Sequence, residues 1–172
     1  DKIWNEIVNT NNDVIVNAGA GTGKTFTIVE GANRVSANRM GFLAFNKSIA
    51  TELAERLPEH VEAKTFHALG MKAVRDSVGK IKVNNWKVKN IIDGILGRDY
   101  QAQPLVKLIS LVKGSMIDCT DNKQIYQLID KYNIEFKSDR EEVMGVDIVC
   151  QILDECKKQT NEIDFDDMIW LP

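Results

Sequence analysis

The sequence predicts an α/β protein: a parallel sheet with flanking helices, joined to an all-helical insertion. Three observations lead there. Short apolar runs at residues 14–16, 40–45 and 61–66 alternate with helical patterns through the first 78 residues. The first run breaks into Ala18-Gly19-Ala20-Gly21-Thr22-Gly23-Lys24-Thr25, a glycine-rich turn that helical sequence follows at once. From about residue 79 the alternation stops and only helical stripes remain.

Taken in order, Ile3, Trp4, Ile7 and Val8 recur at helical spacing, and residues 9–13 form a polar turn into the first predicted strand at 14–16. A helix is expected over about 24–36. The apolar run at 40–45 is the second strand; Ile49, Leu53 and Leu57 then mark a helix that Pro58 stops. Residues 61–66 form a third short strand and 67–74 turn helical again. Ligands of parallel α/β sheets bind at the carboxyl ends of the strands, so the three polar clusters that follow these strands belong on one rim.

Four stripes cover the helical region: Val88 to Leu96, Leu105 to Val112, Ile125 to Tyr132, and Val143, Val146, Cys150 and Leu153. No strand pattern is visible there. Residues 164–171 then read as chain returning to the sheet. The expected divisions are 1–78, an ATP-binding core; 79–162, a helical insertion; and 163–172, the return.

The chemistry is clearest in the glycine-rich turn. Glycines let backbone N–H groups approach a phosphate chain, and the following helix points its N-terminal dipole at the same anion. In such a P-loop, residues 18–25 bind the nucleotide, Lys24 reaches the β/γ-phosphates and the Thr25 hydroxyl ligates Mg²⁺, so ATP and Mg are the expected cofactors. The strict pattern wants Gly where this chain has Ala18.

Composition bounds the rest. At 172 residues, with 44% hydrophobic and 27% charged residues, the chain is an ordinary globular length and mixture. No run approaches the ~18 apolar residues of a membrane span, and the first residues do not resemble a signal peptide. Cys119, Cys150 and Cys156 are odd in number and lack metal-ligand spacing, and His60 and His67 lie far from any cysteine pair. Three reduced cysteines in a cytoplasmic protein, nuclear if eukaryotic, are expected. The net charge of −3 argues against general attraction to nucleic acid. Locally, residues 72–98 carry +5 and residues 135–167 carry −7. Either stretch is read equally well as a solvated helical face or, for the basic one, as a phosphate-facing surface.

Phe45-Asn46-Lys47-Ser48, Thr65-Phe66-His67 and the closing Asp164-Phe165-Asp166-Asp167-Met168 follow the P-loop in an order and spacing that resembles the start of a superfamily 1 DNA helicase of the UvrD/Rep type. The look is closest to phage and F-box DNA helicases. The resemblance implies a RecA-like first domain with a helical insertion, and a parent enzyme that couples ATP hydrolysis to translocation and duplex unwinding in DNA repair or replication. It places Asn46 and Lys47, and also Thr65, Phe66 and His67, on single-stranded DNA. The expected partners are that strand, the duplex junction and the remainder of the helicase chain, with no membrane. An aromatic suits such a site because stacking contributes about 1–3 kcal/mol per base whatever the sequence.

The chain also departs from the family pattern. Phe45 stands where Thr usually precedes the Asn-Lys pair, and no Gln occurs before Gln101 to read adenine. An Asp-Glu pair after an apolar strand is absent, and Asp166-Asp167 is a poor substitute, so the chain reads as stopping before that motif and before any arginine finger. One domain has nothing to close against, so weak or no ATP hydrolysis is expected of these residues alone. Two alternatives remain: a stand-alone ATP and single-strand binder without turnover, and a P-loop small-molecule kinase.

Overall fold

Apolar residues spaced for one helical face begin the chain, and α1 (Lys2–Asn9) uses them to pack on α2 (Lys24–Arg34). The Trp4 Nε1–H donates to the Thr27 carbonyl at 3.1 Å, and the Arg34 guanidinium lies 4.1 Å over the Trp4 ring. These positions come from a computed structural model, which describes residues 2–10, 13–36 and 40–172. The polar turn expected over 9–13 includes residues 11 and 12, which lie outside the described residues.

β1 (Met40–Ala44) and β2 (Val61–Thr65) pair in parallel, from Met40 opposite Val61 to Ala44 opposite Thr65. Between them α3 (Lys47–Ala54) crosses over and buries Ala50 and Leu53 against Ala44. Phe42, Ala63, Val29 and Leu57 pack around that small cluster.

The strand expected at 14–16 does not form. Residues 13–19 have no regular structure, and Ile15 is 94% exposed. A parallel strand needs a neighbour for its N–H and C=O groups, and no strand among the described residues pairs with this run. The sheet of the first unit, residues 1–66, therefore contains two strands where three were expected.

The second unit, residues 67–172, is dominated by helices. It takes in nearly all of α4 (Phe66–Val78), followed by β3 (Lys82–Val83), α5 (Lys87–Leu96), α6 (Ala102–Ser115), α7 (Asn122–Lys131), α8 (Asp139–Asp147) and α9 (Val149–Lys158). β4 (Glu162–Ile163) and α10 (Asp167–Trp170) complete it. Leu105, Leu108, Ile109, Ile125, Val149 and Ile152 are fully buried at its centre, each worth about 1.5–3 kcal/mol of transfer free energy. Pro104 sits in the first turn of α6, where the missing N–H has no intrahelical partner to lose.

Two details correct the sequence reading of this region. β3 and β4 pair in parallel, so short strands bracket a stretch in which no strand was expected. A two-residue ladder leaves no periodicity to read; it is held by backbone bonds such as Asn84 N–H to the Ile163 carbonyl and by the Lys82–Glu162 ion pair. The fourth stripe is also two helices, broken at Ile148, and Val143 is exposed instead of lying in the core.

The cysteine expectation is corrected as well. Cys119 and Cys150 form a disulfide with their Cα atoms 5.2 Å apart, and Cys156 alone is a free, buried thiol. Nothing in a 31-residue separation within an odd set marks that pairing in the sequence. Packing of the turn before α7 on the start of α9 creates it.

Gly70 is fixed by close approach. A Cβ there would lie 1.6 Å from the Met168 carbonyl oxygen, so only glycine lets the segment around α10 sit against α4.

Candidate functional site

The glycine-rich turn keeps its shape without a preceding strand. Gly21 and Gly23 adopt φ of +72° and +82°, a region costly for residues with a Cβ, and α2 starts at the next residue, Lys24. No side chain caps α2 at Gly23, so the first-turn N–H groups remain for an external acceptor. The Thr22 hydroxyl donates to the Gly19 carbonyl at 2.9 Å and closes the turn.

Lys24 folds over this loop. Its Nζ donates to the Ala18 carbonyl at 2.8 Å and to the Gly19 carbonyl at 2.6 Å, which places an ammonium at the loop mouth. Thr25 is exposed one residue further on. Uncapped N–H groups, a helix N-terminus, one ammonium and one hydroxyl together suit a phosphate chain with its magnesium ion. Among the described residues no group of three or more His, Cys, Asp or Glu side chains gathers around a potential metal position.

The other two clusters share an edge. Ala44 and Thr65 are the last paired residues of β1 and β2, so Phe45-Asn46-Lys47 and Phe66 leave the sheet at the same carboxyl end. Asn46 caps α3, its Oδ1 accepting from the Ile49 N–H at 2.9 Å, a bond that leaves its NH₂ group uncommitted to the cap. Lys47 is exposed, as are Phe45 and Phe66. His67 is half-buried and stacks on Phe165, ring centroids 3.8 Å apart at 27°.

The whole chain, residues 1–172, matches the model of the UvrD/REP helicase N-terminal domain. The chain belongs to that family. It is similar to DNA helicase IV of Escherichia coli (strain K12), 34% identical over 88 residues, covering 45% of this chain and 13% of that protein. It is also similar to F-box DNA helicase 1 of Gallus gallus, 35% identical over 80 residues, covering 46% of this chain and 8% of that protein. The matched region is thus a small part of either relative.

Within this UvrD-family chain, the residues that sequence reasoning missed form a buried charge network. Lys87 Nζ donates to Asp167 Oδ2 at 2.6 Å and to the Cys156 carbonyl at 2.8 Å. Lys113 Nζ donates to Asp167 Oδ1 at 2.7 Å and Asp164 Oδ2 at 2.8 Å. The two aspartates also accept each other's backbone N–H. Asp167 is 0% exposed with both oxygens engaged, so it is a structural hub and not an acid available to magnesium.

Burial pulls the Lys113 pKa down, but the neighbouring Cys156, Asp167 and Asp164 outweigh it and the pKa is raised. Burial foremost pushes the Cys156 thiol up to about 11, with the two aspartates adding to the effect, so it stays protonated at neutral pH. A signal was present in the sequence. Lys113 stands four residues after Ile109 and eight after Leu105, in register with the buried stripe of α6.

The network also corrects the reading of the basic stretch. Lys87 points into the core, and Lys82 and Lys89 pair with Glu162 and Asp93. Glu162 and Asp167 lie outside 72–98, so the pairs of Lys82 and Lys87 offset part of its +5, in which Asp93 is already counted.

Proposed function

We propose that this chain is the N-terminal portion of an ATP-dependent DNA helicase, in which residues 18–25 bind ATP·Mg²⁺ and Asn46, Lys47, Thr65, Phe66 and His67 meet single-stranded DNA. One observation carries the reading: an uncapped helix N-terminus behind a loop with Gly21 and Gly23 at positive φ, with Lys24 held at its mouth. Membership of a helicase family favours a DNA motor over the other proteins that use such loops.

The residues divide the work as follows. Loop N–H groups and the N-terminus of α2 hold the phosphates. Lys24 exchanges its two carbonyl partners for the β/γ-phosphate oxygens, a gain because the new acceptors carry charge. Thr25 holds the magnesium ion. When bound, ATP·Mg²⁺ supplies a phosphoryl group whose transfer to water provides the free energy for movement. Phe66 offers a sequence-blind stacking surface, and Lys47 and Asn46 hold the strand's phosphates.

Residues 1–78 begin a RecA-like domain 1A, 79–162 form the 1B insertion and 163–172 lead back toward 1A. The Mg-organising acid and the arginine finger lie outside these residues, which is consistent with Asp167 being committed to Lys87 and Lys113.

The test uses the full-length protein. ATP hydrolysis should rise strongly with single-stranded DNA; Lys24→Ala should abolish nucleotide binding, and Phe66→Ala should weaken DNA affinity by about 5- to 100-fold while ATP still binds. Phosphorylation of a nucleoside without any DNA effect would sink the helicase reading in favour of a kinase. Nucleotide and strand binding without turnover would leave the module reading.

A further inference from the structure

Cys119 and Cys150 are a pair of reactive groups that the nucleotide and strand readings leave unused. Their disulfide joins the turn ahead of α7 to the first turn of α9, and the loop it closes contains all of α7 and α8. Both residues are half-buried and so open in part to a small solute. Cys156 is 0% exposed, and its thiol, pushed up to about 11 chiefly by burial, stays protonated. The third sulfur therefore does not shuffle the bond, and Cys119 and Cys150 form one defined couple.

The unit does not need this bond to hold its helices together. Ile125 of α7 and Val149 and Ile152 of α9 are fully buried with Leu105, Leu108 and Ile109 of α6, and chains that depend on disulfides for folding are those short of such a core. The turn that carries Cys119 has bonds of its own: Asp118 Oδ1 accepts from the Thr120 N–H at 2.9 Å and from its hydroxyl at 2.8 Å, and Asp121 caps α7 through the Gln124 N–H. Packing alone thus brings the two cysteines within bonding reach, their Cα atoms 5.2 Å apart, where they react as an intramolecular pair. The two are not equivalent. Cys150 is the second residue of α9, whose first turn no side chain caps, and the positive end of a helix stabilises a thiolate, the attacking form. Cys119 follows Asp118, whose carboxylate disfavours a second anion beside it.

From this placement we infer that Cys119 and Cys150 are a reversible thiol–disulfide exchange site for low-molecular-weight disulfides of the glutathione class, with Cys150 attacking and Cys119 resolving, and that the crosslink sets how firmly α7 and α8 are held. The Cys150 thiolate attacks one sulfur of the small disulfide, forms a mixed disulfide and releases one small thiolate, which takes up the proton that Cys150 gave. Cys119 then attacks the Cys150 sulfur, and its proton leaves with the second small thiol. Two cysteine thiols are oxidised and one small disulfide is reduced to two thiols; the reverse sequence opens the crosslink. The inference stands on the second unit alone and draws nothing from the helicase reading.

The test equilibrates the chain of residues 1–172 with mixtures of oxidised and reduced glutathione, then labels its thiols with iodoacetamide after denaturation. In excess oxidised glutathione only Cys156 should take the label; in excess reduced glutathione all three cysteines should. Thermal unfolding of the oxidised form should have a midpoint higher by about 5–15 °C, because the crosslink restricts the unfolded chain. Cys119→Ser should lose that difference and trap glutathione on Cys150. Three labels in excess oxidised glutathione, one label in excess reduced glutathione, equal midpoints, or a Cys119→Ser chain without the adduct would each overturn the inference. A glutathione adduct persisting on the unaltered chain would do so as well, since Cys119 would then not be resolving it.

Discussion

Residues 1–66 and 67–172 handle burial in opposite ways. In the first unit the core cluster is Ala44, Ala50 and Leu53, and all the residues proposed to meet ATP and DNA except His67 lie here, at or near the surface, on a loop and at two strand ends. In the second, a helical core including Leu105, Leu108, Ile109, Ile125 and Ile152 surrounds four charged side chains, Lys87, Lys113, Asp164 and Asp167. Ligand-facing chemistry needs exposed donors with preset geometry, which glycine φ values and a helix start supply without a large core. Charges placed inside need complete pairing, which only a well-packed surround can enforce.

The largest test of that contrast is Asp167→Ala. It strips Lys87 and Lys113 of a shared carboxylate while both remain 1% exposed, and breaking a buried pair from one side costs about 3–5 kcal/mol. Urea unfolding should show a loss of that size, whereas Lys47→Ala, on the exposed start of α3, should stay within about 0.5 kcal/mol. Equal effects from the two would mean that the network contributes no more than surface charge does.

This asymmetry also governs what can be read from sequence. The helices of the second unit are legible because Val88, Ile91 and Ile92, or Leu105, Leu108 and Ile109, repeat at the spacing of one face. The P-loop is legible because its glycines, Lys24 and Thr25 form a local motif whose geometry needs no distant partner. What escapes is what depends on pairing across the chain. Lys87 meets Asp167 over eighty residues, Cys119 meets Cys150 over thirty-one, and β3 meets β4 as a ladder too short to leave a pattern. The strand expected at 14–16 errs in the other direction: its composition is right for a strand, but composition does not provide a neighbour.

A second test uses pH to probe the buried side of the contrast. Cys156 titrates at about 11 in the folded chain, against 9.0 ordinarily, chiefly because burial disfavours the thiolate. Between those values the folded state keeps a proton that the unfolded chain releases, so stability is intact below pH 9 and falls as pH rises toward 11. The raised Lys113 pKa acts in the same sense, but only above its ordinary 10.5. Cys156→Ala should flatten the slope between pH 9 and 10.5, removing about 2 kcal/mol of alkaline loss, measured as urea midpoints against pH. An unchanged slope would place the titrating group elsewhere.

The smallest effect belongs to the first unit and tests the exposed run ahead of the P-loop. Ile15 is 94% exposed, so Ile15→Ser in the chain of residues 1–172 should change stability by no more than about 0.5 kcal/mol. A loss of about 2–4 kcal/mol, as expected when a buried aliphatic side chain is replaced by a small polar one, would mean that Ile15 is buried instead. A change within that bound would mean that the run at 14–16 adds nothing to the packing of the first unit. The phosphate loop would then depend on its glycines and α2 alone.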